Sequence, residues 1–333
     1  MISDRDVVLR LLGPVRVRTG GLWLVPVTAQ LRLVVGIMAV RGGQVVSVDE
    51  LIEAIWDSRP PRSARGSLQS LMTRVRHLLE PVPGAALTRC GDGYRMEVDT
   101  DRIDVGRFRS LARSARAAEG PDAIGRFESA LAQWTGPVLA DAVSTTRAGA
   151  IRQALDAELT SVIQDRFRCM LTCGRLRDAA AELPAAVTRL PLNECLAAML
   201  METLYRSGQR ADALRAFRRM RGRLAEQLGV EPGPELQSLH QRILSGDAGL
   251  ARSVTAAERV SVKLPVVVPR QSPAAPAPLV GRLEKAAILT RLGDTYRADG
   301  DHEHARAAWQ QALVILDELH DLSSREVRSR LTS

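Results

Sequence analysis

The sequence predicts a mainly α-helical fold with a small β component confined to its first hundred residues. Three observations carry that reading. Aromatic residues make up only 3% of the chain while Ala, Leu and Arg abound, a composition of helix formers. Short alternating apolar runs broken by Gly and Pro occur before residue 100, and from Asp101 onward apolar residues recur at helical spacing. At 333 residues the chain is long enough for two or three cores.

Strands come first. Val7 to Val17 reads as a strand pair or bent strand broken at Gly13-Pro14, Thr19-Gly20-Gly21 as a turn, and Leu22 to Val27 as a further strand. A helix from about Thr28 to Val40 places Leu31, Val34, Val35 and Met38 on one side and stops at Gly42-Gly43. Ser47 and Glu50 form a capping box, the Ser hydroxyl accepting from the Glu50 amide and the Glu reaching back. The second helix carries Leu51, Ile52, Ile55 and Trp56 inward, and Asp57-Ser58-Arg59 turns into a third.

That third helix, Pro60 to Leu79, has two contrasting sides. Pro60 and Pro61 suit a helix start, where a missing N–H costs nothing, and Ser63 stands near the first turn. Leu68, Leu71, Val75, Leu78 and Leu79 fall on one face. Arg62 precedes the remaining surface, which carries Arg65, Gln69, Ser70, Thr73, Arg74, Arg76 and His77. Arg can fork onto guanine, and Gln, Ser and Thr can reach bases or phosphates, so this face suits a DNA major groove. A solvated basic face on a structural helix shows the same pattern, so the surroundings decide. Leu87 to Val98 then makes a hairpin about Gly91-Asp92-Gly93, on which Arg89 and Arg95 would hold phosphates. Strands, three helices and a hairpin is the order of a winged helix-turn-helix domain. Seven Arg face two acids between Arg59 and Arg95, whereas Met1 to Ser58 is neutral. The net charge of +8 favours an acidic partner such as nucleic acid. Because only Lys263 and Lys285 are lysines, part of the Arg content reflects codon bias and is discounted.

From Asp101 the pattern is all-α. Val105, Phe108, Leu111 and Ala112 mark one helix, Ala123 to Trp134 another, and Ile151 to Leu171 a third. The run Gly174 to Ala179 recurs as Gly208 to Ala213, thirty-four residues later. This is the period of tetratricopeptide (TPR) helix pairs, which stack into arrays with partner-binding surfaces. The expected division is a winged helix over residues 1–100, a TPR-like helical domain over 101–247, a Pro/Ala-rich linker over 248–282, and one TPR-like hairpin and tail over 283–333.

Several functions are excluded. No apolar run approaches the roughly 18 residues that cross a membrane, and the first six residues are too polar to begin a secretory signal, so a cytoplasmic, nucleoid-associated protein is expected. Cys90, Cys169, Cys173 and Cys195 are spaced unlike a zinc site and read as reduced, buried thiols. His302 and His304 point different ways on a helix and lack a third ligand. Glu97, Asp99, Asp101 and Asp104 form an acid cluster that reads as solvated surface. Without a Ser/His/Asp or Cys/His constellation or a GxxxxGK[ST] phosphate cradle, neither enzyme activity nor any cofactor or metal is expected.

Leu11-Leu-Gly-Pro-Val-Arg-Val17, Val45 to Trp56, Pro60-Pro-Arg-Ser-Ala64, Leu68-Gln69, Arg74-Val-Arg76 and Gly93-Tyr94 together resemble the Streptomyces antibiotic regulatory protein (SARP) family, whose first domain is similar to the OmpR-type winged helix. Leu200 to Phe217 and Leu228 to Leu236 resemble the end of that family's bacterial transcriptional activation domain, so the likeness spans about Val7 to Asp247. It implies a sequence-specific activator of a secondary-metabolite (antibiotic) cluster. Such a protein binds direct repeats in double-stranded promoter DNA, recruits RNA polymerase holoenzyme and pairs as a homodimer on DNA. The alternative is a TPR-like protein-interaction adaptor without specific DNA binding. Leu279-Val-Gly-Arg282 resembles the start of the NTPase module of larger members, but the cradle is missing. Gly36 and Gly66 each stand inside a predicted helix, where Gly costs about 1 kcal/mol relative to Ala.

Overall fold

The computed structural model describes residues 6–251, together with His302, Arg306, Trp309 and Gln310. The expected linker beyond residue 251 and the TPR-like hairpin lie outside the described residues, those four apart. The chain opens with an antiparallel meander of β1 (Leu9–Arg10), β2 (Arg16–Thr19) and β3 (Leu22–Leu24), with Leu9 opposite Val17 and Thr19 opposite Leu22. Gly20 and Gly21 turn between β2 and β3 with φ of 56° and 88°, which only glycine adopts freely. Helix α1 (Ala29–Val40) is capped by Thr28, whose hydroxyl accepts from the Leu31 amide at 3.2 Å.

Next come β4 (Val46–Ser47), α2 (Val48–Trp56), α3 (Ala64–Leu79), β5 (Ala86–Cys90) and β6 (Gly93–Glu97). The second sheet runs β4-β6-β5, with Val46 opposite Tyr94 and Leu87 opposite Met96. Half of the expected capping box forms. The Ser47 hydroxyl accepts from the Glu50 amide, but the Glu50 carboxylate pairs with Arg41 and Arg147 instead of reaching back. Charge-assisted bonds to two guanidiniums outweigh one backbone bond. Helix α3 also starts later than expected. Pro60 and Pro61 lie in the turn before it, the Pro61 carbonyl accepts from the Ala64 amide at 2.9 Å, and the Ser63 side chain makes no cap bond. Met72 is buried on the inner face of α3 while Leu78 is only half-buried.

The helical part comprises α4 (Asp104–Arg116), α5 (Gly120–Leu131), α6 (Thr146–Thr172), α7 (Leu176–Arg189), α8 (Glu194–Arg206), α9 (Arg210–Leu228), α10 (Pro234–Ser245) and the short α11 (Ala248–Ala251), which occupies the first residues of the expected linker. The thirty-four-residue repeat is visible in backbone geometry. Gly174 and Gly208 take φ of 74° and 78°, and the amides after them reach back alike, Arg175 to the Met170 carbonyl at 2.9 Å and Gln209 to the Leu204 carbonyl at 2.8 Å. Each pattern ends one helix with a left-handed glycine and starts the next.

Two apolar cores result. One runs from β1 and β2 through α1, α2, α3 and the hairpin into α4, α5 and Val162 of α6; the other fills the space among α6 to α10. The first core therefore crosses residue 100. Ile103, Val105 and Phe108 carry it across, and Asp104 stands among them. Its carboxylate is buried and accepts from the Leu11 and Leu12 amides at 2.7 and 2.9 Å and from the Val105 amide at 2.8 Å. The expectation of solvated surface is wrong for this residue, because a carboxylate with three backbone donors is satisfied without water.

The segment between α5 and α6 is bonded to the connection between β1 and β2 as well. Thr135 and Leu139 donate to the Leu12 and Leu11 carbonyls at 2.7 and 3.0 Å, and Val15 donates to Asp141 at 2.9 Å. Leu139, fully buried at φ 50°, fits against α1 at Gly36, where an added Cβ would stand 2.6 Å from it. Gly36 thus makes room for a side chain a hundred residues away. Leu139→Ala is expected to destabilise the protein by about 3–5 kcal/mol. Gly36→Ala alone is expected to be unfavourable, yet nearly neutral in the Leu139→Ala background, a coupling that urea unfolding of the four variants measures.

Candidate nucleic-acid interface

Helix α3 presents the side chains that the sequence singles out. Arg65, Gln69, Ser70, Thr73, Arg74, Arg76 and His77 are all exposed on it, and Arg62 is exposed just before it. The opposite face buries Leu68, Leu71, Met72, Val75 and Leu79. At 3.6 residues per turn, Gly66, Thr73 and His77 occupy the middle of the exposed arc, with Gln69 and Ser70 beside them. Arg65 and Arg76 stand at one margin and Arg74 at the other. Neutral donors and acceptors in the centre with cations on both flanks match a groove, where base edges lie between two rows of phosphates.

Local bonds set how these groups are held. Arg65 forms an exposed ion pair with Asp49 of α2 at 2.9 Å, a contact of small net worth that a phosphate can replace. Ser70 and Thr73 donate to the Gly66 and Gln69 carbonyls one turn back, at 3.2 and 3.0 Å. His77 lies 3.4 Å from Glu80. Arg62, Arg74, Arg76, Arg89 and Arg95 have no hydrogen-bond or ion-pair partner among the described residues. A Cβ at Gly66 would meet nothing within 4 Å, so no packing in this chain requires glycine there. Gly66→Ala is expected to raise stability by about 1 kcal/mol, read from a chemical unfolding midpoint.

The hairpin divides its two arginines. Arg89 is paired with Tyr94, on the face shared by Leu87 and Met96, while Arg95 is paired with Thr88 on the other face. Arg89 is exposed near the tip and Arg95 is half-buried. Alternation along a strand thus prevents both from meeting one phosphate row in the same way.

The turn before α3, expected at Asp57-Ser58-Arg59, is fixed by partners on α6 that no local pattern names. Asp57, at φ 51°, accepts from the Thr146 amide at 3.1 and 3.3 Å, at the start of α6. A carboxylate there also meets the positive end of the helix dipole. With the Glu50–Arg147 pair, this ties α2 and the turn to α6. The partners are 89 and 97 residues apart, a distance at which no local pattern can signal them.

Elsewhere, Cys90, Cys169, Cys173 and Cys195 are free thiols and half-buried, less enclosed than expected. Burial pushes the Cys169 thiol up to about 11, which keeps it protonated and unreactive at neutral pH. Among the described residues no group of three or more His, Cys, Asp or Glu could hold a metal, and no helix is long and apolar enough to cross a membrane.

Comparison with known proteins identifies the family. Residues 103–244 match the bacterial transcriptional activator domain family. The chain is 34% identical over 257 residues to the regulatory protein DnrI of Streptomyces peucetius, covering 74% of this chain and 94% of DnrI. It is 31% identical over 253 residues to the transcriptional regulator RedD of Streptomyces coelicolor, covering 72% of this chain and 71% of RedD. The solved structure of Mycobacterium tuberculosis EmbR, in complex with a low affinity phosphopeptide, superposes with a TM-score of 0.66 at 31% identity, over 73% of this chain and 66% of that one. The fold and these relatives define a bacterial transcriptional regulatory protein with a winged helix-turn-helix ahead of a helical activator domain. The relatives are regulators, not enzymes. The chain belongs to the Streptomyces antibiotic regulatory protein family of transcriptional activators.

Proposed function

We propose that the chain is a sequence-specific activator that reads direct repeats in duplex promoter DNA through α3 and recruits RNA polymerase through its helical domain. On this reading, residues 1–100 carry DNA recognition, residues 101–247 carry activation, and the protein acts at the nucleoid in the cytoplasm on genes for a secondary metabolite. Gln69, Ser70, Thr73 and His77 face base edges, and Arg62, Arg65, Arg74 and Arg76 neutralise the flanking phosphates. Arg89 and Arg95 add backbone contacts from the hairpin, one from each face. Two copies side by side would match a repeated site. The observation that carries the proposal is the exposed arc of α3, with neutral polar groups central and arginines on both margins.

The test is a mobility shift of the purified chain on promoter DNA flanking its own gene, at two salt concentrations and with unrelated duplex as competitor. A shift that survives competitor and weakens with salt supports specific reading. Binding that competitor erases would reject it and leave the protein-interaction adaptor.

A further inference from the structure

A cleft of about 130 Å³ opens between α7 and α9, over α8. Its walls and floor are Pro184 and Val187 of α7, Leu200 of α8, and Ala216 and Met220 of α9. Thr188 closes one side, and Arg219 and Arg223 stand on the other. No acidic or aromatic residue lines it.

Two locally unfavourable choices meet at this place. Pro184 lies inside α7, where it removes the helical bond to the Ala180 carbonyl and sets an apolar ring at the surface. Arg219 and Arg223 are like charges at i and i+4, a spacing that destabilises a helix. Two neighbours on α9 are compensated, Arg215 by Asp212 and Arg221 by Glu231, while among the described residues Arg218 on the same helix is not. Arg219 and Arg223 have no such partner among the described residues. Folding alone gains nothing from this combination, and local conflict of that kind marks functional surface.

We propose that this cleft docks an acidic segment of a partner protein, one apolar side chain entering between α7 and α9 while flanking carboxylates pair with Arg219 and Arg223. The charge of the rim requires an anionic partner. The apolar floor selects a protein over nucleic acid, since a phosphate backbone has nothing to bury there and bases find no ring to stack on. The volume suits a single side chain of leucine size. The cleft lies outside α3, so its use is separable from DNA reading.

The experiment is a fluorescence-anisotropy titration of the full chain with a labelled glutamate-rich peptide carrying one central leucine, beside the same peptide with serine in that place. The leucine peptide is expected to bind, and the serine peptide to bind about tenfold or more weakly, as burial of one aliphatic side chain dictates. Thr188→Trp, which fills the cleft from an exposed wall, and the double variant Arg219→Glu/Arg223→Glu should each weaken binding at least as much. Circular dichroism confirms that both variants remain folded, and their duplex DNA binding should match wild type. Absence of binding overturns the proposal, as does equal binding of the serine peptide or indifference to Thr188→Trp. Displacement of the peptide by duplex DNA at equal charge would make the cleft a phosphate site. Self-association abolished by Thr188→Trp in sedimentation velocity would make a second copy of the chain its occupant.

Discussion

Reversing both Arg74 and Arg76 to Glu is expected to lower affinity for the operator roughly hundredfold or more while lowering thermal stability only slightly. The two residues lie on opposite margins of the exposed arc of α3, so on the proposed docking they meet opposite rows of phosphates. Each reversal replaces a favourable contact with repulsion, on the order of 1–3 kcal/mol apiece near a polyanion. Neither side chain has a partner among the described residues, so the fold loses only the small interaction of Arg76 with the C-terminal end of α3, about 0.3–1 kcal/mol. Single changes to Ala should weaken binding to all sequences alike and reduce the slope of log affinity against log salt by about 0.9 each. Changes at Gln69 or Thr73 should instead alter which sequences are preferred. Anisotropy titrations at several salt concentrations read all of these, and unchanged affinity of the double reversal would sink the placement of α3 in the groove.

Asp104→Ala is expected to cost about 3–5 kcal/mol, enough to unfold a marginally stable domain. It leaves the Leu11, Leu12 and Val105 amides buried without an acceptor, and each buried donor left unpaired costs about 1–3 kcal/mol. Because Leu11 and Leu12 lie in the connection between β1 and β2 and Asp104 begins α4, the loss should appear in the DNA-reading and helical parts together, as one transition.

The same residue gives a pH signature. Burial pushes the Asp104 carboxyl from 3.8 up to about 7, against the opposing pull of its three backbone donors and Arg10. The folded state therefore keeps a proton that the unfolded chain releases. This contribution to stability is fully present below about pH 4 and is lost as pH rises towards 7. Asp104→Asn, which cannot ionise, should remove that decline. Urea midpoints measured across pH 4 to 8 decide it, and an identical profile in the variant would refute the assignment.

Much of the interface was legible locally. The apolar spacing in α3 defines which arc is buried, so the exposure of Arg65, Gln69, Ser70, Thr73, Arg74, Arg76 and His77 follows from period alone. The glycine-bounded hairpin and the repeat at Gly174 and Gly208 were equally plain, since turn chemistry acts over a few residues. Errors arose where local rules had competitors. The second bond of the capping box yielded to Arg41 and Arg147, and the start of α3 moved past two prolines that suit a turn as well as a first helical residue.

What the sequence by itself determined is a set of elements and their surfaces: a cationic, donor-rich helix, a hairpin and a repeating helical array, each written in short-range pattern. Tertiary structure alone decided how they are joined. Asp104 looks like one more acid in a solvated cluster until Leu11 and Leu12, ninety-odd residues earlier in the chain, bring their amides to it. Gly36 looks like a defect until Leu139 fills the space above it. Asp57 reads as a turn residue and Glu50 as half of a capping box until α6 brings Thr146 and Arg147 alongside. The physical reason is common to all of them: a buried or bridging group owes its energy to partners brought close by folding, and no periodicity along the chain records who those partners are.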